Sequence, residues 1–186
     1  MQFSAYEEKL INKLITDSMD EKEQTKLKFG FYIVADTFKK GLFVYILAAI
    51  LGVFWEVLIV HFSFLFIRQV TYGWHSPTHK GCILGSIALF VLLPYTISLV
   101  NLPTSFIYNS GLILIISIYI LGPIGTQVNP IYRKKKILLK YILLIRLCLI
   151  LILMCFIPIG VFKYILIGLT IQFTTLLIQF FKNGRI

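Results

Sequence analysis

A histidine and a cysteine seven positions apart, His75 and Cys82, are the residues of this chain best suited to chemistry. They lie in a short polar segment, residues 68–82, between long apolar stretches, and it is the one such segment that contains both a thiol and an imidazole. A cysteine is a nucleophile only as the thiolate, and a neighbouring imidazole can supply that form near neutral pH. The pair therefore indicates a cysteine peptidase that acts at a membrane surface.

The two side chains can meet only if the chain turns between them. On one continuous helix, seven residues span roughly 10 Å and side chains lean toward the N-terminus, so His75 would point away from Cys82. Glycine and proline residues break such a helix, and Ser76 and Pro77 predict an N-cap followed by the first helical residue. Cys82 is then expected near the start of the next helix, where the helix dipole favours a thiolate.

A metal site is the alternative use of this segment. His75, His79 and Cys82 are spaced so that one uninterrupted helix could present three ligands to zinc or copper. The glycine and proline breaks oppose that helix, and no fourth ligand is nearby in the sequence. We therefore expect no metal and no other cofactor.

The composition predicts an all-α integral membrane protein. Of the 186 residues, 58% are hydrophobic and 14% charged, and the mean hydropathy is +0.87. A soluble domain averages about 45–50% apolar and about 25% charged residues. The length suits one compact helical bundle, a single membrane domain over residues 1–186. Two further cysteines, Cys148 and Cys155, lie in an apolar stretch and are expected to be buried apolar residues.

The acidic residues are confined to the first third of the chain. All eight lie at or before Glu56, and the net charge is +10. The absence of carboxylate side chains over residues 57–186 excludes paired-carboxylate hydrolysis and a Ser-His-Asp triad there. A third catalytic residue would have to be Glu56, an N-terminal acid, an amide such as Gln69 or Asn129, or a backbone carbonyl; a dyad is simplest. An acidic partner and anionic membrane lipids suit this charge, and no nucleic acid is expected.

Hydrophobic periodicity divides the chain into an amphipathic N-terminal helix and about six membrane helices. Residues 1–28 form the amphipathic region, which lies on the membrane, docks a partner or packs on the bundle. Residues 29–69 form a more polar first helix pair that turns at Gly52, and residues 70–82 form the catalytic loop. Four clear spans follow within residues 83–181, at about 83–100, 107–125, 137–157 and 161–181.

The distribution of lysine and arginine predicts the orientation. Lys39 and Lys40, the 68–82 segment, the Arg133–Lys136 cluster and the C-terminal tail carry the basic residues at alternate connectors. Basic connectors remain on the cytoplasmic side of a membrane protein. The catalytic loop and the Arg133–Lys136 cluster are therefore expected to face the cytoplasm together.

Residues 68–82 resemble the accessory gene regulator protein B (AgrB) family of membrane peptidases, which serve quorum sensing in Gram-positive bacteria. The matching residues are Arg68, then Gly73, Trp74 and His75, then Cys82 at the family's spacing. The order of the spans and the basic cluster after the second connector also match. Many family members have two glycines where this chain has Gly73 followed by Trp74.

The resemblance implies a cysteine endopeptidase of the bacterial cell membrane, with its catalytic loop in the cytoplasm. Its substrate would be a small AgrD-like propeptide with an acidic C-terminal tail. Cys82 would attack the carbonyl joining the signal segment to the tail, His75 would activate the thiol, and the resulting thioester would close into a thiolactone or lactone autoinducer. The expected substrate-binding residues are Arg68, Arg133, Lys134, Lys135 and Lys136. Bracing of the loop is an equal expectation for Arg68.

A non-enzymatic role is the competing hypothesis. A small membrane carrier, channel subunit or scaffold would use the polar loops only to fix its topology. Replacement of Cys82 by alanine distinguishes the two, because a carrier or scaffold keeps working and a cysteine peptidase does not. The oligomeric state is left open, and a homodimer is compatible with the sequence.

Overall fold

The structure, a computed structural model, is helical, as the composition predicted. It describes residues 10, 11, 13–15, 19–74, 76, 78–125 and 131–183, with backbone alone at positions 32, 33, 36 and 79. Within these ranges, a single isolated bridge joins Tyr72 and Ile124, and no strand is formed. The chain divides into two compact units, residues 1–46 and 47–186, which are described separately.

The first long helix, α1 (Glu21–Ile50), begins earlier than the first helix predicted from residue 29. A capping box explains the start. The carboxylate of Asp20 accepts from the backbone N–H of Glu23 at 2.6 Å, and the Glu23 carboxylate accepts from the N–H of Asp20 at 3.2 Å. The amphipathic helix predicted over residues 1–28 lies largely outside the described residues, and its end at residues 21–28 belongs to α1.

The turn predicted at Gly52 is confirmed. Gly52 has a φ of +70° and donates to the carbonyl of Ala49 at 3.1 Å, while Val53 donates to that of Ala48 at 2.9 Å. This pattern is the Schellman motif, in which a glycine in the left-handed region ends a helix. The next helix, α2 (Phe54–Thr71), begins immediately after it.

In the part of the chain that the structure describes, five further α-helices follow α2. They are α3 (His79–Ile87), α4 (Leu93–Ser98), α5 (Thr104–Leu121), α6 (Arg133–Phe156) and α7 (Ile159–Asn183). A π-helical segment, Ala88–Leu92, joins α3 to α4 in one run. Pro94 lies two residues after that segment, and because proline has no N–H to donate, it interrupts the regular hydrogen bonding of a helix.

Five helical stretches of the described chain are long and apolar enough to cross a membrane. These are Phe54–Thr71, Lys80–Ser98, Thr104–Leu121, Arg133–Phe156 and Ile159–Asn183. The protein is therefore a multi-pass membrane protein by length and composition. Helix α1, which contains Asp36, Lys39 and Lys40, is not among the five, so the count of six stays a prediction.

Helix α7 is the centre of the second unit. Its residues are buried over consecutive positions from Tyr164 to Leu169, and it packs against α2 and α5. A Cβ at Gly168 would lie 2.0 Å from the hydroxyl of Ser63 and 2.6 Å from the carbonyl of Val60. The absence of that side chain is what allows the backbones of α2 and α7 to approach this closely, as small residues do in membrane bundles.

The prediction for Cys148 and Cys155 was wrong. Both thiols lie on the exposed surface of α6 and not in the core. In a membrane span the side facing lipid is as apolar as the side facing the bundle, so an apolar stretch does not reveal which residues are buried.

Candidate active site

Cys82 lies in the first turn of α3, at the start of a helix as predicted. The cap is Thr78, whose hydroxyl accepts from the N–H of Gly81 at 3.2 Å, and Cys82 donates to the Thr78 carbonyl at 3.0 Å. The prediction of Ser76 as the cap was wrong, since Ser76 instead donates its hydroxyl to the Thr78 carbonyl at 3.3 Å. A Cβ at Gly81 would lie 2.7 Å from both hydroxyl oxygens, so this cap requires glycine. Cys82 is half-buried beside the positive end of the helix dipole.

His75 and Pro77 lie outside the described residues, so the contact between His75 and Cys82 stays a prediction. The side chain of His79 is also outside them, and the alternative metal site, which needs both histidines, is therefore untested. In the part of the chain that was searched, no group of three or more histidine, cysteine, aspartate or glutamate residues could hold a metal ion.

The segment that leads toward Cys82 is fastened to α7. The N–H of Trp74 donates to the carbonyl of Thr175 at 3.0 Å. Gly73 has a φ of +119°, and a Cβ there would lie 2.8 Å from the hydroxyl oxygen of Thr175. Tyr72 also has a positive φ, 58°, which is unusual for a residue other than glycine. The chain thus turns sharply out of α2 and passes directly over α7.

A buried glutamine of α7, Gln172, is hydrogen-bonded to the same turn. Its side chain is fully buried, and its amide nitrogen donates to the hydroxyl of Thr71 at 2.8 Å and to the carbonyl of Tyr72 at 2.6 Å. Neither Gln172 nor Thr175 was predicted as a site residue. The one available signal was a polar side chain within an apolar span, which commonly marks a functional position.

Arg68 braces the turn, which is one of the two roles expected for it, the other being substrate binding. Its guanidinium donates to the Trp74 carbonyl at 3.2 Å and to the Thr175 hydroxyl at 3.4 Å, and it lies over the ring of Phe64 at 5.2 Å. Both acceptors are neutral. Arg68 also interacts electrostatically with Cys82. The substrate-binding role stays a prediction.

The second polar connector lies at the same end of the bundle. Ile124 donates to the carbonyl of Thr71 at 3.1 Å, and the amide of Asn183 donates to the carbonyl of Gly125 at 3.1 Å. The Arg133–Lys136 cluster, Arg133, Lys134, Lys135 and Lys136, forms the exposed first turn of α6 just beyond that connector. The two predicted cytoplasmic connectors therefore share one end of the bundle, and the side of the membrane stays a prediction.

Two further cations of α6 stabilise helix ends. Lys140 donates to the Gly122 carbonyl at 2.8 Å, where α5 ends. Arg146 donates to the carbonyl of Phe66 and, at 3.2 Å, to the side-chain oxygen of Gln69. These cations satisfy carbonyls near the ends of α5 and α2, which favour positive charge. Because the Gln69 oxygen accepts from Arg146, Gln69 is a poor candidate for a third catalytic residue.

Glu56 is remote from the site. It lies in the first turn of α2, twelve residues before Arg68 near the other end of the same helix. At 1.5 Å per residue the separation is about 18 Å. A role for Glu56 in orienting an imidazole beside Cys82 is therefore excluded by the geometry of α2.

Comparison with known proteins gives the family. The family model described as Accessory gene regulator B matches residues 7–177. The chain belongs to the accessory gene regulator B family. It is 31% identical over 184 residues to the Accessory gene regulator protein B of Staphylococcus aureus strain bovine RF122, covering 98% of this chain and 94% of the relative. It is 33% identical over 168 residues to Protein FsrB of Enterococcus faecalis, covering 87% and 69%.

Family membership confirms the resemblance carried by residues 68–82 and gives the chain a role in accessory gene regulation and quorum sensing. A third relative, the Accessory gene regulator protein B of Staphylococcus saprophyticus, is 29% identical over 120 residues, which is 64% of each chain. No solved structure matches this chain.

Proposed function

We propose that this chain is a membrane cysteine endopeptidase that removes the C-terminal tail of a small propeptide, with Cys82 as nucleophile and His75 as base. The observation that carries the proposal is the position of Cys82 in the first turn of a capped helix, next to a loop fastened by Arg68 and α7. Helix N-termini and nearby cations stabilise a thiolate, which is the reactive form. The exposed Cys148 and Cys155 lie in the interior and at the C-terminal end of α6, away from its N-terminus.

The reaction follows from these two groups. His75 takes the thiol proton as the Cys82 sulfur attacks the carbonyl carbon between the signal segment and the tail. The tetrahedral intermediate collapses, His75 gives the proton to the leaving amine, and the tail departs. A thioester remains on Cys82. A thiol or hydroxyl of the precursor then attacks it, closes a thiolactone or lactone ring and returns the free thiol.

Charge supports the choice of substrate. Among the described residues, Arg68 donates to two neutral acceptors, the Trp74 carbonyl and the Thr175 hydroxyl, and not to a carboxylate. The Arg133–Lys136 cluster is exposed at the same end of the bundle. An acidic precursor tail complements both features, and an AgrD-like propeptide of the accessory gene regulator system has that chemistry.

Coexpression with an AgrD-like precursor tests the proposal. Cys82→Ala and His75→Ala should each abolish release of the tail, measured by mass spectrometry, while the protein stays in the membrane. Cys148→Ala and Cys155→Ala are the matched controls and should cleave normally. Tail release by Cys82→Ala would instead support the membrane carrier or scaffold.

A further inference from the structure

We propose that Gln172 and Thr175 of α7 are positioning residues that hold the catalytic loop and Arg68 in the geometry needed for cleavage. The inference rests on the proposed peptidase function. It adds to the site two residues of α7 that are distant in sequence from the catalytic loop. The two residues are about one helical turn apart on α7 and contact α2, the turn after it and each other.

Gln172 is fully buried, and a buried amide destabilises a protein core unless its polar atoms are hydrogen-bonded. Here every polar atom of the side chain is used. The nitrogen donates to Thr71 and to the carbonyl of Tyr72. The side-chain oxygen, at 3.2 Å, shares the Thr175 hydroxyl donor with the backbone carbonyl of Gln172, at 2.9 Å. Thr71 is itself fully buried and donates to the Ile67 carbonyl at 2.9 Å. The amide therefore fixes the end of α2 and the first residue of the turn together.

Thr175 links this amide to the rest of the loop. Its hydroxyl contacts Gln172 and accepts from Arg68, while its backbone carbonyl accepts from the N–H of Trp74. Trp74 in turn gives its carbonyl to Arg68 at 3.2 Å. These four residues form a continuous polar network. Cys82 follows Trp74 by eight residues in the sequence. Catalytic groups need placement to about 0.5 Å, and a shift of about 1 Å can cost about 10²-fold in rate.

The decisive pair of variants is Gln172→Met and Gln179→Met. Gln179 is also buried on α7, but its amide donates only along its own helix to Asn183 at 2.7 Å among the described hydrogen bonds. Methionine keeps the length of the side chain and removes the amide. With purified protein in lipid vesicles and saturating precursor, Gln172→Met should lower the rate of tail release by about 10²-fold. Gln179→Met should cleave at the wild-type rate.

Thr175→Val and Thr175→Ser provide a second pair that does not depend on Gln172→Met folding. Valine keeps the shape and removes the hydroxyl that Arg68 and Gln172 contact, whereas serine keeps it. We expect Thr175→Val to lose activity and Thr175→Ser to retain it. Equal activity of the two variants, or wild-type cleavage by Gln172→Met, would overturn the inference.

Alkylation of Cys82 separates this inference from the proposed function. In a background lacking Cys148 and Cys155, the rate of reaction with iodoacetamide is read without precursor. A displaced loop should slow it in Gln172→Met relative to Gln179→Met. Cleavage by Cys82→Ala would reject the peptidase itself, whereas an inactive Cys82→Ala with an unaffected Gln172→Met would reject only the positioning role.

Discussion

Replacement of Gly73 by alanine tests whether the loop must lie against α7 for the protein to work. Gly73 has a φ of +119°, which is costly for any residue with a Cβ, and its Cβ would lie 2.8 Å from the hydroxyl oxygen of Thr175. That oxygen cannot move freely, since it is hydrogen-bonded to Gln172 and contacted by Arg68. The change therefore forces either strain or a shift of the loop.

The magnitudes favour the shift. A non-glycine residue in a sparsely populated backbone region costs about 1–3 kcal/mol, and overpacking at a tight contact costs a further 1–3 kcal/mol or so. Two hydrogen bonds keep the turn on α7, from Trp74 to Thr175 and from Gln172 to Tyr72, and each contributes only about 0.5–1.5 kcal/mol. Gly73→Ala is thus expected to detach the loop while α2 and α7, packed through Gly168, stay together.

Precursor cleavage in reconstituted vesicles is the assay. Gly73→Ala should lower the rate of tail release by about 10²-fold or more, as a displacement of about 1 Å is enough for that loss. Gly85→Ala is the matched control, because Gly85 lies in α3 with open space where its Cβ would be. Wild-type cleavage by Gly73→Ala would show that the contact between the loop and α7 is not needed for activity.

Three further predictions concern the substrate, the topology and the packing. Replacing all four residues of the Arg133–Lys136 cluster by glutamine should weaken precursor binding by about 0.2–1 kcal/mol for each ion pair that is lost. A binding titration at two ionic strengths should also show that the variant's affinity depends less on salt. Unchanged binding would mean that the cluster serves only as a topology signal. Single cysteines at Ser76 and Tyr132 should label equally with a membrane-impermeant maleimide, and opposite labelling in intact cells would contradict the shared side. Gly168→Ala should lower the thermal unfolding midpoint in detergent. Gly160→Ala should leave the midpoint unchanged, because no atom lies within 4 Å of a Cβ at Gly160. Equal midpoints for the two variants would contradict the close approach of α2 and α7.

The helices could be predicted from the sequence because long apolar stretches and their breaks are local signals. The turn at Gly52 and the start of a helix just before Cys82 follow from glycine, proline and hydroxyl residues within a few positions. The choice of cap was harder. Ser76 and Thr78 are equally suitable by type, and it is the backbone N–H of Gly81 that selects Thr78.

The remaining features depend on contacts between distant parts of the chain. Gln172 meets Thr71 across 101 positions of sequence, which no local pattern reveals. The exposure of Cys148 and Cys155 was mispredicted because lipid and the bundle interior select the same apolar residues. Arg68 could be selected from the sequence, but its partners on α7 came only from the fold.

The thioester on Cys82 is the species that tests the peptidase most directly. A precursor whose ring-closing thiol or hydroxyl residue is replaced by alanine should acylate the enzyme and stop there. After an acid quench, peptide mass mapping should find Cys82 carrying the precursor without its tail, in the wild type and in the Cys148→Ala Cys155→Ala double variant. An adduct on any other residue, or tail release by Cys82→Ala, would contradict the assignment.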